Sequence, residues 1–263
     1  MPKKSKILFG PAGTGGSSDK GFVEVKNLGL DAVEIEFTYG IWMTKDDALK
    51  IRELNKKLGL KLSIHAPYFI NLNSEEKQKV GASRSRILKS MEIGTYLGAD
   101  YVVFHPGFYQ KTSKEQTYEN IKVQIIKIME EAKVKGYTPK LAPETTGKPS
   151  QFGDLDDLIR MKKETGCSIC IDFSHLKARY NGKITFEEVA EKISKTNLGP
   201  IHCHFSGIEY TEKGERRHIL TEEKDIKELL SALKKHHIEA TIINESPDPL
   251  GDAIKMKKVF ERI

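Results

Sequence analysis

Short runs of β-branched and apolar residues alternate with longer stretches of helical periodicity along the chain. The apolar runs predict strands over residues 6–11, 32–38, 61–66, 101–106, 140–146, 168–174, 200–206 and 239–246. Helical patterning fills the intervals at 46–59, 83–98, 118–136, 154–166, 185–195, 222–237 and 252–263. Several of these stretches close on glycine, which accepts the left-handed turn at a helix end, and Asp154 and Thr185 stand where N-caps belong. Strands that are mostly apolar or β-branched suit a parallel sheet buried on both faces, and eight of them argue for closure. The expected fold class is α/β, a single (β/α)8 TIM barrel over residues 1–263, whose length matches the roughly 250 residues typical of that fold. The longest non-periodic pieces, 10–20, 66–76, 106–116, 174–184 and 206–221, follow strands. In such a barrel those loops build the functional face.

Composition narrows the picture only a little. A hydrophobic fraction of 38% suits a soluble globular chain, and a net charge of +6 is compatible with a phosphate-bearing partner without arguing for one. The opening MPKKSKILFGPAG holds too short an apolar run for a signal peptide or a membrane span. Together with three cysteines, an odd number, it sets the expectation of a reduced, intracellular (cytoplasmic) protein that does not enter a membrane. Cys167 and Cys170 have CxxC spacing, yet on a strand positions three apart point to opposite faces. Cys170 is therefore expected in the core, one layer below Asp172.

The candidate chemistry lies at the strand ends. Six of the predicted strands finish on a residue that can bind a metal: His65, His105, Glu144, Asp172, His204 and Glu245. Two residues before each stand Ser63, Val103, Ala142, Cys170, His202 and Ile243, mostly small or apolar, as the next barrel layer down requires. Three imidazoles and three carboxylates converging on one small volume leave mutually repelling anions unless cations intervene. Mixed His and carboxylate donors suit Zn²⁺, with Mn²⁺ or Fe²⁺ as alternatives. His175, just past Asp172, can reach the same mouth, whereas His202 is expected a layer deeper, and His236 and His237 on the surface at a helix end. A carboxylate such as Glu144 could bridge two ions, and a multinuclear site suits phosphodiester hydrolysis. Gly10-Pro-Ala-Gly-Thr-Gly-Gly16 matches neither a dinucleotide nor a P-loop fingerprint and reads as a flexible first loop.

Taken together, His65-Ala-Pro-Tyr-Phe-Ile-Asn-Leu72, His105-Pro-Gly107, Pro143-Glu-Thr145, Cys170-Ile-Asp-Phe-Ser-His175, His204 and Glu245 resemble the endonuclease IV family of abasic-site DNA repair enzymes. The resemblance implies a (β/α)8 barrel with two or three zinc ions, acting as a monomer on duplex DNA. By position, it implies that His65, His105 and Glu144 hold one ion, and that Glu144, Asp172, His204 and Glu245 hold a second with Glu144 bridging. His175 and His218 would help hold a third. Tyr68 and Phe69 fall where the family places residues that enter the minor groove at the lesion, Phe69 as an apolar wedge. Lys177, Arg179, Arg216 and Arg217 are candidate phosphate contacts.

Two departures stand out. The family pairs its third-site histidine with an aspartate two residues earlier, a position held here by Arg216, so either Glu215 substitutes or the third ion is weak or absent. The first strand ends Phe9-Gly-Pro-Ala-Gly13, without the histidine the family often carries there. The implied activity is hydrolysis of the phosphodiester 5′ to an abasic site, leaving a 3′-hydroxyl. The alternative is a sugar isomerase or epimerase with a single divalent ion on Glu144, Asp172, His204 and Glu245; His65 and His105 are the residues such an enzyme does not need.

Overall fold

The structure, a computed structural model, describes residues 6–14, 19–196 and 198–263, so the last two glycines of the early glycine-rich stretch lie outside the described residues. Seven parallel strands come first: β1 (Ile7–Pro11), β2 (Ala32–Glu36), β3 (Lys61–His65), β4 (Tyr101–Phe104), β5 (Lys140–Pro143), β6 (Cys170–Asp172) and β7 (Ile201–Phe205). A hairpin of β8 (Gly207–Thr211) and β9 (Gly214–Ile219) follows, and β10 (Ala240–Asn244) completes the set. The hydrogen-bonded orders β1-β10-β7-β6 and β2-β3-β4-β5 are joined by the bridges Ala12–Glu34 and Glu144–Cys170. The eight strands other than the hairpin thus close into the expected barrel.

Strand alternation divides the interior in two. Outward residues such as Phe9, Val33, Ile64, Val102, Leu141, Ile171, Cys203 and Ile242 join the large core beneath the helices. Inward residues Val103, Ala142 and Cys170 form a separate small cluster with Tyr101 inside the barrel. Cys170 therefore sits in the layer below Asp172, and Cys167 packs in the other core, with both thiols free.

The helices are α1 (Asp19–Asn27), α2 (Lys45–Leu58), α3 (Lys77–Leu97), α4 (Lys114–Val134), α5 (Leu155–Thr165), α6 (Phe173–Arg179), α7 (Phe186–Ser194), α8 (Glu223–Lys235) and α9 (Pro249–Arg262). Asp154 caps α5 and Thr185 closes a capping box on α7, while Gly59, Gly98 and Gly166 end their helices in the left-handed conformation. Among the described residues no helix is long and apolar enough to cross a membrane.

Two of the predicted loops are corrected. Residues 174–184 contain most of α6, whose start is capped by the Asp172 side chain accepting from the His175 amide at 2.6 Å. Residues 206–221 fold as the β8–β9 hairpin, which turns at Gly214 with φ of 89°. Both additions stand over the strand C-termini, on the face that carries the polar residues.

Candidate metal centre at the barrel mouth

The strand register assembles one inward-facing layer at the mouth. In β3 the alternation Leu62 out, Ser63 in, Ile64 out brings His65 inward, and Glu36 of β2 is its register partner. His105, Glu144 and Glu245 each follow the last residue of a strand, while Asp172 and His204 lie within β6 and β7. All six strand-end residues singled out in the sequence are brought together.

Glu144 is at the centre and fully buried. One carboxylate oxygen, Oε2, lies 3.2 Å from His65 Nε2 and 3.1 Å from His105 Nε2. The other, Oε1, lies 3.2 Å from His204 Nδ1 and 3.1 Å from His175 Nδ1. His204 Nδ1 is also 3.1 Å from Glu245 Oε1. Donor atoms of His65, His105 and Glu144 fall within 4.8 Å of one another, as do those of Glu144, Asp172, His204 and Glu245. The two groups share Glu144, so one carboxylate faces two donor sets.

Most of the imidazoles are oriented from behind. Nδ1 of His65 donates to the Ala66 carbonyl at 2.8 Å, and Nδ1 of His175 to the Thr145 carbonyl at 3.0 Å. Nδ1 of His218 donates to the Glu245 carbonyl at 3.0 Å. His204 is reversed: its Nε2 makes an ion-pair contact with Glu34 Oε1 at 2.7 Å without hydrogen-bond geometry, leaving Nδ1 for the centre. A second hydrogen-bond partner that fixes the tautomer and ring direction is the usual support of a metal-binding histidine.

The electrostatics fit a cation. Burial opposes charge on His65, yet its bond to Glu144 and the nearby Glu36 outweigh that and raise its pKa to about 10. His175 and His204 are likewise raised against burial, His175 chiefly by Asp172 and His204 by the surrounding carboxylates and Cys170. Burial works to raise Glu245, but His204 brings it down to about 2, and Glu144 is held well below the usual carboxylate range by His105 and His204. Asp172 is raised by burial, and its Oδ2 is buried without a hydrogen-bond partner. Protons on the imidazoles do here what a divalent ion does better, and an orphaned carboxylate oxygen aims at the same volume. The donor set therefore suits Zn²⁺ or Mn²⁺.

Above this layer a cleft of about 610 Å³ opens to solvent, lined by His65, His105, His175, Glu215, His218 and Glu245 from the centre and by Tyr68, Lys148 and Gln151 at the rim. Tyr68 and Phe69 are more than half exposed on the β3–α3 loop, and the Tyr68 ring centroid is 5.6 Å from that of His65. His218, on β9, has its Nε2 3.2 Å from His175 Nε2. Arg216 and Arg217 point elsewhere, each 2.6 Å from a Glu209 oxygen.

Other candidates are corrected or confirmed. Arg179 is buried, donating to the carbonyls of Lys148 at 2.7 Å and Gln151 at 3.0 Å, so it braces the β5–α5 loop and does not face the cleft. Lys177 is engaged by Asp225 at 2.8 Å. His202 sits a layer deeper, as expected, stacked on Tyr101 at 5.0 Å between centroids.

Sequence reasoning missed both glutamates of β2. Glu34 lies fully buried in the second layer, with its Oε2 accepting from His202 Nε2 at 2.9 Å and its Oε1 beside His204. Its pKa falls despite burial, because His204 and His202 surround it. Glu36 belongs to the mouth layer, where burial pushes its pKa up to about 8. The signal was present as acidic residues two apart in the otherwise apolar AVEIE. Taking the strand to end at Thr38 hid Glu36 as a strand end.

A profile of the xylose isomerase-like TIM barrel family matches residues 22–262, and the chain belongs to that family. It is 38% identical to an uncharacterized protein of Methanocaldococcus jannaschii over the full length of both chains. To the probable endonuclease 4 of Aster yellows witches'-broom phytoplasma it is 30% identical, across 65% of this chain and 61% of the relative. Endonuclease IV from Thermus thermophilus superposes with a TM-score of 0.74 at 20% identity, covering 98% of this chain and all of that one. A D-tagatose 3-epimerase-like protein superposes at 0.72, also 20% identical, over 97% and 96% of the two chains, so the fold alone does not separate these activities.

Proposed function

We propose that the protein, with a single barrel domain over residues 1–263, is a metal-dependent endonuclease that hydrolyses the DNA phosphodiester 5′ to an abasic site and leaves a 3′-hydroxyl. The observation that carries this reading is the position of His65 and His105. Both Nε2 atoms lie within 3.2 Å of one oxygen of Glu144, whose other oxygen faces His204. An isomerase that works with one ion needs only the set Glu144, Asp172, His204 and Glu245. The endonuclease 4 relatives support the same choice.

His65, His105 and Glu144 would hold one ion, and Glu144, Asp172, His204 and Glu245 a second. Bound there, two divalent ions would supply a nucleophile at neutral pH and charge neutralisation at the scissile phosphate. Glu144 is the catalytic carboxylate, shared by both donor sets and positioned to orient the attacking water. His65 and His204, anchored from behind by the Ala66 carbonyl and Glu34, keep their inward nitrogens fixed. Tyr68 and Phe69 fill the gap left in the duplex, while the unstacked sugar, cheaper to extrude for lack of its base, enters the cleft. Lys148, exposed at the rim, is placed to meet a backbone phosphate.

The direct test is incision of a duplex carrying one tetrahydrofuran abasic analogue by the zinc-loaded protein. A nick 5′ to the analogue with a 3′-hydroxyl is expected, lost in His105→Ala and Glu144→Ala. No incision at any protein concentration, with ketohexose epimerisation in its place, would overturn the proposal.

A further inference from the structure

Arg179 ends α6, and its side chain is only 7% exposed although it carries a full charge. A buried guanidinium is costly unless its donors are matched. The carboxylate beside it, Asp154, has its Oδ2 3.4 Å from Nε, and that oxygen already accepts from the Tyr180 hydroxyl at 2.6 Å. The short bonds go to backbone. Nη1 donates to the carbonyls of Lys148 at 2.7 Å and Gln151 at 3.0 Å, with the Thr146 carbonyl and hydroxyl further off at 3.4 and 3.3 Å.

Those two carbonyls are the ends of one turn. The Gln151 amide donates to the Lys148 carbonyl at 2.9 Å, and Pro149 fills the second of the four positions, where its fixed φ belongs. Arg179 therefore closes the turn from beneath. The rest of the β5–α5 loop is pinned to the barrel: the Thr146 amide donates to the Gly153 carbonyl and the Phe152 amide to the Gly107 carbonyl, each at 3.0 Å. Gly153, at φ of 133°, passes so close beneath the centre that a Cβ there would lie 2.8 Å from the Glu144 carbonyl oxygen.

On α6, Arg179 follows His175 by four residues, so the two side chains share a face. His175 Nδ1 donates to the Thr145 carbonyl at 3.0 Å, and Arg179 takes carbonyls further along the same loop. One helix face thus grips the loop at its root, next to Glu144, and at its tip, where exposed Lys148 borders the cleft. A lysine is a point charge on a flexible stem, so only its backbone can fix where it reaches. We propose that Arg179 is a positioning residue, holding the Lys148-Pro-Ser-Gln151 turn in place so that the Lys148 ammonium meets a DNA backbone phosphate, a role that rests on the endonuclease reading above.

The test reads binding apart from incision. Zinc-loaded full-length protein is titrated, by fluorescence anisotropy at several salt concentrations, into a duplex with one tetrahydrofuran site and a phosphorothioate at the scissile linkage to slow cutting. Lys148→Ala should reduce the slope of log affinity against log salt by about 0.9, the loss of one phosphate contact. Arg179→Met, which keeps the length and removes the donors, should lose the same amount. The double variant should lose no more than either alone, because both remove one contact. Arg179→Lys keeps the buried charge without the fork that spans two carbonyls, and should show a smaller loss in the same direction. In steady-state incision these variants should raise KM by more than they lower kcat, as loss of uniform binding does. A wild-type slope in Arg179→Met, or in Arg179→Lys where thermal melts show the methionine variant unfolded, would overturn the proposal. Additive losses in the double variant would overturn it as well, by placing the effect of Arg179 elsewhere. Wild type that binds with this pattern yet never incises would sink the endonuclease reading and leave the positioning role standing. Wild type that does not bind the duplex would overturn both.

Discussion

The two halves of the mouth are built by different means. His65, His105, Glu144, Asp172, His204 and Glu245 are carried on or just past barrel strands, in a layer whose direction is dictated by register. His175, Glu215 and His218 are carried on a helix of about two turns and a hairpin that stand outside the barrel hydrogen bonding. The barrel half is fixed by the same alternation that packs the core, so its residues cannot be re-aimed without refolding a strand. The hairpin half can be changed by one inserted residue, because little else depends on its register. Such a division puts the geometry of the chemistry on the rigid scaffold and leaves adjustment to the loops.

The largest expected effect comes from the residue that both barrel donor sets share. Glu144→Ala should reduce incision by more than the 10²–10³-fold that loss of a single stabilising hydrogen-bond donor costs, while His218→Ala should cost less. Gel-based initial rates check this, and equal losses in the two variants would erase the distinction between the halves.

Next is the support beneath the barrel half. Glu34→Gln weakens the hold on His204 from the layer below and should lower Zn²⁺ affinity about 10–100-fold. A chelator-competition titration in which affinity stays at the wild-type value would show Glu34 to be a core residue only.

A pH effect comes third. In the metal-free protein His65 has its pKa raised to about 10, against about 6.5 in an unfolded chain. Its contribution to stability is thus complete below about 6.5 and lost as pH rises toward 10. Glu36, pushed up from 4.5 to about 8, adds a decline that begins near pH 4.5 and is complete by about pH 8. The urea midpoint should fall between pH 6.5 and 10 in chelator and stay nearly level with Zn²⁺ present, because the ion takes the place of the protons. A flat midpoint in chelator would contradict the charge balance described at the mouth.

The smallest effect belongs to Arg216, exposed and paired with Glu209. Arg216→Ala should change stability by less than about 0.5 kcal/mol and leave metal content unchanged, as thermal melts and elemental analysis would show.

The same contrast explains what could be read in the sequence. The barrel half was legible because period-two alternation and a strand-end position are both visible in one dimension. Glu36 escaped because the strand-like sequence pattern continues into Phe37 and Thr38, although β2 itself ends at Glu36. α6 escaped because nearly all of Phe173–Arg179 is buried, so no polar stripe marks it as a helix. Arg179 read as a surface cation because nothing local shows the carbonyls of Lys148 and Gln151 that enclose it. The hairpin was read as a loop, and Arg216 as a break in the motif, because the irregular β8–β9 pairing between Glu209 and Tyr210 leaves no periodic trace.

The central claim is that the barrel half alone holds two ions. Zinc per chain, counted by elemental analysis on wild type and on a His65→Ala/His105→Ala double variant, tests it most directly. The double variant is expected to hold one ion fewer and to keep the ion on Glu144, Asp172, His204 and Glu245. Identical metal content in the two proteins would contradict it and return the barrel to a one-ion isomerase site.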